Sequence, residues 1–307
     1  KLRDDQEDQF AHALDNFSRK IWRQPRSRRL ARYDLAILHD PQEQLPPSNA
    51  KALENFVRVG KGLGIDVELI ERKDYARLAE YDALLIRETT SVDNHTYRFA
   101  KKAESEGLVV MDDPASILRC TNKVYLTDLL NSHQLGMPAT EILYKERPED
   151  FERVGERLGF PLVLKIPDGC FSRGVIKVES QEALLTATAE LFEHSVLLLA
   201  QEFFYTEYDW RIGVLNRKPI FACQYFMSKG HWQIYNHKAI GQDINGECRT
   251  LAVHEAPKAV VELAVKTANL IGDGLYGVDL KQSGDKVVVI EVNDNPNLDA
   301  GIEDAYL

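Results

Sequence analysis

The stretch that decides the fold of this chain runs from Tyr276 to Asn297 and reads YGVDLKQSGDKVVVIEVNDNPN. Its two β-rich runs flank the turn sequence SGD, which predicts a hairpin of two antiparallel strands. Asp279 lies on the first strand, while Glu291 and Asn293 are two residues apart and therefore point to the same face of the second strand. We expect these three oxygen-bearing side chains to converge on one point.

Two carboxylates and one amide form an incomplete set of hard oxygen ligands. Such a set suits Mg²⁺, since this ion keeps several waters and takes further ligands from substrate phosphates. The alternative is the polar face of an exposed hairpin. The metal interpretation is favoured because the run KVVVIEV around Glu291 is almost continuously apolar, and a strand buried on both faces does not carry a glutamate without a partner.

Composition bounds the remaining possibilities. The chain has 307 residues, of which 44% are apolar and 28% charged, enough for two or three packed units. Its formal charge of -10 argues against a nucleic-acid or anionic-membrane binder and favours small ligands. The longest aliphatic run, Val196 to Ala200, is too short to cross a bilayer, which predicts a cytoplasmic protein. Four scattered cysteines without a CxxC pair predict reduced thiols.

The region before Tyr33 differs in composition from the rest of the chain. Between Arg19 and Arg32 it holds seven basic residues and no acidic one, which predicts a solvated arm or the tail of a preceding unit. Binding of an anionic partner by this arm is the alternative. From Tyr33 short β-rich runs alternate with helical stretches, which predicts a small doubly wound α/β domain with a parallel sheet. Because no glycine-rich fingerprint follows its first strand, dinucleotide binding in the Rossmann manner is not expected.

Two further units come next in the sequence. A helix closed by Gly136 opens a compact α+β lobe, and long antiparallel segments that turn at Asn216 and Arg217 belong to the last unit, together with the final hairpin. The predicted divisions are residues 1–32 for the arm, 33–120 for the α/β domain, 121–197 for the first lobe and 198–307 for the second.

A lysine-bearing strand in the first lobe predicts an anion site. Lys165 lies in an apolar strand, where it needs an anion to offset its desolvation, and the strand leads into the loop DGCFSRG, which ends at Gly174. Two glycines in this loop allow backbone N–H groups to approach a phosphate. An ordinary hairpin turn is the alternative for the loop alone. Lys123, on a helix of the same lobe, supplies a second candidate cation.

The segment AQEFFYTEYDWRIGV, from Ala200 to Val214, carries a third signal. Asp209 and Arg211 flank Trp210 and therefore share one face of a strand. By themselves they predict a structural ion pair. Combined with the hairpin and the lysine-bearing strand, they predict a cleft for ATP and Mg²⁺, in which cations and a loop hold phosphates, carboxylates hold the ions, and a strand edge holds adenine.

The order of these motifs resembles the ATP-grasp superfamily and most of all the RimK-type carboxylate–amine ligases, whose best-known members add glutamate to a peptide C-terminus. The motifs are Lys123, Lys165 with GCFSRG, QEFF, DWR, and Asp279 followed by Glu291 and Asn293. The resemblance covers the chain from Tyr33 onward, and EVNDNPNLDAG is its most specific part. The acidic ending is similar to a branch in which the ligase follows a dedicated N-terminal domain. The resemblance thus implies an ATP-grasp fold, a small α/β domain followed by two α+β lobes that enclose ATP.

The resemblance also implies roles for individual residues. Arg211 and Lys165 are the expected catalytic residues, with Arg211 at the acyl phosphate and the tetrahedral species that follows it. One or two Mg²⁺ ions, which Mn²⁺ can replace, are expected on Asp279, Glu291 and Asn293. The expected nucleotide contacts are Lys123 and Lys165 at the phosphates, Ser172 and Gly174 in the closing loop, the backbone of Glu202 and Phe203 at adenine, and Asp209 at the ribose.

The substrates are predicted to be a small-molecule or peptide carboxylate and an amino-acid amine. Neither a nucleic acid nor a membrane is expected as a partner, and formation of a homo-oligomer is left as an open alternative. The substrate-side candidates are Arg87, Thr89 and Thr90 at a strand end of the first domain, and Asn236, His237 and Lys238. Arg87 is able to hold a carboxylate, and a capped strand end with an unrelated salt bridge is the equal alternative for it. Where glutamate-adding members carry Arg-Ser-Asn, this chain has Gln-Ile-Tyr at residues 233–235, so an acidic amino acid is not expected to bind in the same way. The alternatives are a non-catalytic ATP-binding switch and a D-alanine–D-alanine-like ligase.

Overall fold

The computed structural model describes residues 6–12, 31–168, 174–228, 232–234 and 247–306. Most of the predicted basic arm lies outside these residues, as do Ser172, Asn236, His237 and Lys238. Within the described ranges, no helix has the length and apolar character that crossing a bilayer requires.

The strands and helices follow the alternation expected from the sequence. The strands are β1 (Tyr33–Leu38), β2 (Ile65–Ile70), β3 (Ala83–Ile86), β4 (Val109–Met111), β5 (Thr140–Tyr144), β6 (Leu162–Lys165), β7 (Val175–Val178), β8 (Leu197–Glu202), β9 (Tyr208–Leu215), β10 (Lys218–Phe226), β11 (Cys248–Leu251), β12 (Leu275–Ser283) and β13 (Lys286–Asn293). The α-helices are α1 (Ala50–Leu63), α2 (His95–Ser105), α3 (Pro114–Thr121), α4 (Lys123–Ser132), α5 (Glu149–Leu158), α6 (Gln181–Leu191) and α7 (Lys258–Ile271). Short 3₁₀ helices span Arg72–Glu80, Val253–Glu255 and Glu303–Tyr306.

The first sheet is parallel and has the strand order β2-β1-β3-β4. Helix α1 begins where the Asn49 side chain accepts a hydrogen bond from the N–H of Ala52, and it ends at Gly64, whose φ of 77° is left-handed. These elements confirm the predicted doubly wound α/β domain. Because the connections from β1 and β3 leave in opposite directions, the carboxyl ends of these two strands form the kind of crevice in which such sheets bind ligands.

The second sheet has the order β5-β8-β6-β7, and its strands pair antiparallel. Helices α5 and α6 cover it, and their Val154 and Leu184 share a core with Leu164 and Ala200. Because β8 lies between β5 and β6, this sheet extends past the boundary predicted at residue 198. The apolar run of β8 predicts a buried strand, but it does not indicate which sheet the strand joins.

The third sheet has the order β11-β10-β9-β12-β13 and is antiparallel. Helix α7 covers one face of it, and Val260 and Ala264 of α7 pack with Val278 of β12. Leu126 and Leu130 of α4 belong to the same core. The boundary predicted at residue 121 therefore also differs from the packing, since α4 precedes the second sheet in the chain but is buried against the third.

Both predicted hairpin turns of the third sheet are confirmed. Asn216 and Arg217 connect β9 to β10 with φ angles of 46° and 66°, the pair of left-handed residues that a two-residue turn needs to match the twist of its strands. Gly284, with a φ of 58°, lies in the turn between β12 and β13. These turns set the registers that bring polar side chains of β9, β12 and β13 to one face of the sheet.

Close packing at Gly213 generates a test of this sheet. A Cβ on Gly213 would lie 2.2 Å from the ring of Phe221, its buried cross-strand neighbour on β10. We expect Gly213→Ala to lower the free energy of unfolding by about 1–3 kcal/mol through overpacking. The control is Gly62→Ala in α1, where a Cβ meets nothing within 4 Å and higher helix propensity should add up to about 1 kcal/mol. Urea unfolding measures both, and equal midpoints for Gly213→Ala and the parent would contradict the packing.

Candidate active site

A cleft of about 610 Å³ lies between the second and third sheets, within the range of small-molecule sites. The residues after β3 complete its wall, including Thr89 and Thr90. Its lining includes these residues predicted from the sequence: Lys123, Lys165, Glu202, Phe203, Asp209, Arg211, Asp279, Glu291 and Asn293. The cleft thus brings together residues that lie far apart in the sequence and belong to both lobes.

A row of charged side chains crosses three neighbouring strands at the centre of the cleft. Asp279 on β12 is in register with Arg211 on β9 and with Glu291 on β13. The Arg211 guanidinium donates to both Asp279 carboxylate oxygens, from Nε at 2.6 Å and from Nη2 at 2.7 Å. It also lies over the ring of Tyr225, 5.0 Å from the centroid. This bidentate, stacked geometry holds one orientation of Arg211.

Strand alternation explains why these charges share a face. On β9, Trp210 and Ile212 point into the core under α7, while Asp209 and Arg211 line the cleft. On β12, Val278 is buried in the same core. At Trp210, Ile212 and Val278 these strands face an apolar core, and at Asp209, Arg211 and Asp279 they present charges to the cleft, as strand alternation predicts.

Two lysines approach Glu291 from other elements of the cleft. The Nζ of Lys123, the first residue of α4, lies 3.0 Å from a carboxylate oxygen of Glu291. Burial acts to raise the pKa of Glu291, but Lys123 and Lys165 outweigh burial and leave this pKa below its ordinary value. Burial also lowers the pKa of Lys165 to about 8, and its Nζ donates to Gln201 Oε1 at 2.7 Å. A further anion between the two lysines would offset the cost of burying them.

Lys281 lies in the cleft and was not among the residues predicted from the sequence. Its Nζ donates to Asp209 Oδ1 at 2.5 Å and to Thr206 Oγ1 at 2.8 Å. Lys281 follows Asp279 by two positions on the same strand, so strand alternation predicts that it shares the face of Asp279. That spacing was the signal available in the sequence. Asp209, expected at a ribose, is thus held by a lysine.

The donor set on the hairpin fits a hydrated divalent cation. Asp279 and Glu291 supply carboxylates from neighbouring strands, and Asn293 Nδ2 lies 3.1 Å from Asp279 Oδ2. Among the described residues, no group of three or more His, Cys, Asp or Glu side chains is arranged to hold a metal. The third oxygen donor of the predicted set is the amide oxygen of Asn293, whose Nδ2 donates to Asp279 in this structure. Such a partial oxygen set suits an ion that completes its shell with water and phosphate oxygens.

Aromatic side chains flank the end of β8, where the sequence predicts an adenine site. The ring centroids of Phe203 and Trp232 are 5.9 Å apart, and Lys177 Nζ lies 4.5 Å from the Phe203 centroid. The N–H of Glu202 donates to Ala139 O at 2.8 Å, which anchors the strand end. The neighbourhood combines flat apolar surface with a cation, which suits a purine ring.

Gly174, expected in the loop over the phosphates, lies just before β7. Its φ of 67° is left-handed, and a Cβ there would lie 2.7 Å from the side chain of Ile166. Its carbonyl oxygen accepts a hydrogen bond from Ile166 N at 3.0 Å. Glycine is therefore required at this position by the backbone, while Ser172 lies outside the described residues.

Arg87, predicted either to hold a substrate carboxylate or to have a structural role at a strand end, is bound within the protein. Arg87 is 1% exposed, and its Nε donates to Ser48 Oγ at 2.9 Å while Nη1 donates to Asn295 Oδ1 at 2.6 Å. Its Nη2 donates to Pro47 O and Pro296 O, at 2.5 Å and 2.8 Å. Each of these nitrogens is used within the protein, so Arg87 ties the end of β3 to the segment that follows β13.

The family model described as the D-ala D-ala ligase C-terminus matches residues 134–300. The chain is 27% identical over 231 residues to a probable alpha-L-glutamate ligase of Vibrio vulnificus, covering 74% of this chain and 73% of that one. It is 26% identical over 263 residues to the alpha-aminoadipate–LysW ligase LysX of Saccharolobus solfataricus, covering 79% and 88% of the two chains.

Two solved structures share the fold. A D-alanine–D-alanine ligase from Bacillus anthracis, complexed with ATP, has a TM-score of 0.66 at 16% identity and covers 86% of each chain. A RimK domain ATP-grasp protein from Sphaerobacter thermophilus has a TM-score of 0.61 at 19% identity, covering 84% of this chain and 90% of that one. At these identities the likeness shows the fold, and it confirms the expected ATP-grasp architecture.

The buried Lys165 generates a test of the cleft electrostatics. Because the folded pKa of about 8 lies below the ordinary 10.5, the unfolded chain binds the proton more tightly. Stability should therefore rise with pH between these two values, and the full cost, about 3 kcal/mol, is present below pH 8. We expect Lys165→Met to stabilise the nucleotide-free protein at pH 7 by about 1–3 kcal/mol and to flatten that rise.

Urea unfolding at pH 7 and pH 9.5 measures this effect. Lys218→Met, at an exposed position on β10, is the matched control and should change neither the stability nor its pH dependence. A Lys165→Met protein that is less stable than the parent at pH 7 would contradict the desolvation argument.

Proposed function

This chain belongs to the family of the D-ala D-ala ligase C-terminus, and we propose that it activates a carboxylate substrate in the cleft between the second and third sheets. It is an ATP-dependent carboxylate–amine ligase. ATP binds in that cleft, with its phosphates at Lys123 and Lys165 and its adenine at the end of β8, near Phe203. The observation that carries this proposal is the charged row in which Arg211, Asp279 and Glu291 stand side by side on three strands.

Asp279, Glu291 and Asn293 would hold Mg²⁺ in this proposal. When bound, Mg²⁺ neutralises charge on the transferring phosphoryl group and orients the phosphate oxygens. Arg211 already bonds both oxygens of Asp279, so the carboxylate that faces the ion is oriented before any ligand enters. Lys123, which forms an ion pair with Glu291, would contact the same phosphates.

The reaction proceeds in two steps. A substrate carboxylate oxygen attacks the γ-phosphorus of ATP, the bond to the β–γ bridging oxygen breaks, and acyl phosphate and ADP form. An amine nitrogen then attacks the acyl carbon, loses a proton, and expels inorganic phosphate to leave an amide. Neither step needs a protein nucleophile, because positioning and charge neutralisation supply the catalysis. Arg211 stabilises negative charge on the acyl phosphate and on the tetrahedral species.

The substrates enter next to the leading α/β domain. Thr89 and Thr90 line that side of the cleft, and Gln233 and Ile234 line it with neutral side chains. The names of the relatives, an alpha-L-glutamate ligase and an alpha-aminoadipate–LysW ligase, support an amino-acid or peptide-like substrate pair. Since Gln233 and Ile234 carry no charge, we propose an amine substrate other than glutamate, together with a small-molecule or peptide carboxylate.

Turnover in the presence of both substrates tests the ligase activity. The protein is mixed with ATP, Mg²⁺ and a panel of carboxylates, amino acids and short peptides, and ADP and phosphate are measured alongside ligated products by mass spectrometry. We expect ADP release that depends on the added carboxylate and amine. Nucleotide binding without ADP formation for any pair would instead favour a binding module that uses ATP to change shape.

Substitutions in the hairpin test the assignment of its carboxylates. We expect Asp279→Asn and Glu291→Gln each to lower kcat by at least about 10²-fold, because each removes a charge that the transferring phosphate and its counter-ion need. The control is Asp285→Asn in the exposed turn of the same hairpin, which should keep the parent rate. Circular dichroism confirms that the variants are folded, and parent-like turnover of Asp279→Asn would refute the metal assignment.

A further inference from the structure

A second cavity, of about 550 Å³, lies at the carboxyl edge of the leading sheet. It is lined by residues that follow β1, β2 and β3 and by the first residue of α2, among them His39, Asp40, Arg72, Glu88 and His95. None of its lining residues belongs to the cleft between the lobes. The two-step ligation uses none of them.

The position of this cavity follows from the strand order. In the order β2-β1-β3-β4, the chain leaves β1 and β3 in opposite directions, and open α/β sheets bind ligands outside the strand ends at such a point. His39 and Asp40 directly follow β1, and Glu88 closely follows β3. The side chains at this switch point are therefore placed to contact a ligand.

The floor of the cavity carries an unsatisfied carboxylate oxygen. The Glu88 side chain is only 5% exposed, and its Oε2 lies 2.6 Å from Nε2 of His95. Its Oε1 is buried and has no hydrogen-bond partner among the described residues. Burial raises the pKa of Glu88 to about 7, with Glu43 and Asp40 adding to the increase. A buried oxygen of this kind costs free energy unless a donor reaches it, and a ligand ammonium is such a donor.

The rim of the cavity carries the opposite charge. Arg72, exposed just after the end of β2, is close enough for its charge to act on both Glu88 and His95. Its neighbour Lys73 is already paired with Glu71 at 3.0 Å. Because β1 separates β2 from β3, Arg72 and Glu88 start two strand spacings apart, about 10 Å. A long guanidinium side chain and a compact ligand together span that gap.

The combination of charges selects the class of ligand. A simple anion would face the carboxylates of Asp40 and Glu88, and a simple amine would face the guanidinium of Arg72. No metal-binding group of His, Cys, Asp or Glu side chains occurs within the described ranges, which argues against a metal here. We propose that this cavity is a binding site for a free α-amino acid, with its ammonium at Glu88 and Asp40 and its carboxylate at Arg72.

The site adjoins the cleft without belonging to it. The backbone oxygen of Glu88 accepts a hydrogen bond from Asn295 Nδ2 at 2.5 Å, and Thr89, the next residue, lines the cleft. An amino acid in the cavity therefore contacts the segment that forms one cleft wall. The inference does not rest on the ligase reaction, since it needs neither ATP nor turnover.

Isothermal titration of the nucleotide-free full chain tests the site. The probes are free L-amino acids, each at up to about 10 mM, with ethylamine and acetate as probes that carry a single charge. We expect at least one amino acid to bind, ethylamine and acetate to bind much more weakly, and Arg72→Ala to weaken the amino acid at least about tenfold by removing a charge-assisted contact. Arg58→Ala, an exposed arginine of α1, is the matched control and should bind like the parent.

Three outcomes would overturn the proposal: no amino acid binds, a single-charge probe binds as tightly as the amino acids, or Arg72→Ala has no effect. Glu88→Gln gives an independent check at constant volume and should also weaken binding in a protein whose circular dichroism is unchanged. Lys165→Met, a cleft variant, should leave this binding intact. Loss of binding in Lys165→Met but not in Arg72→Ala would place the amino acid in the cleft, which refutes this site and leaves the ligase proposal standing.

Discussion

The bidentate ion pair between Arg211 and Asp279 is the interaction on which the arrangement of the cleft depends. Both side chains are largely removed from water, and a buried charge without a partner costs several kcal/mol, about 3–5 when one member of such a pair is lost. Arg211 lies on one side of Asp279 and pairs with it. Glu291, on the other side of Asp279, pairs instead with Lys123 of α4. The strand register thus dictates which charges lie side by side at the centre of the cleft.

This pattern also explains how an acidic chain places carboxylates side by side. Asp279 and Glu291 are neighbours in register, and like charges at that spacing repel. At both residues burial raises the pKa of the carboxyl group and the neighbouring cations lower it. The net result is a raised pKa at Asp279 and a lowered pKa at Glu291. One carboxylate is therefore held by Arg211 and the other by lysines, and a divalent cation would add positive charge where both point.

Arg87 gives the leading α/β domain a mechanical connection to the same site. Its buried guanidinium bonds the segment before α1, at Pro47 and Ser48, and the segment after β13, at Asn295 and Pro296. Burial lowers the pKa of Arg87 to about 10, which keeps the group charged near neutral pH. The chain that follows the hairpin carboxylates is thus anchored to the first sheet, and the cleft wall near Thr89 has a fixed position relative to the third sheet.

The sequence by itself determined the elements whose cause is local. Side chains on a strand alternate, and this alternation determined the strands of the hairpin and the shared face of Asp279 and its neighbours. The turn at Asn216 followed from the left-handed backbone that a two-residue turn needs. The tertiary structure alone decided that β8 joins the second sheet, that α4 packs against the third, and that Arg87 is buried. Those outcomes depend on which distant surface covers each apolar face or charge, and an apolar or charged residue carries no information about the identity of its partner.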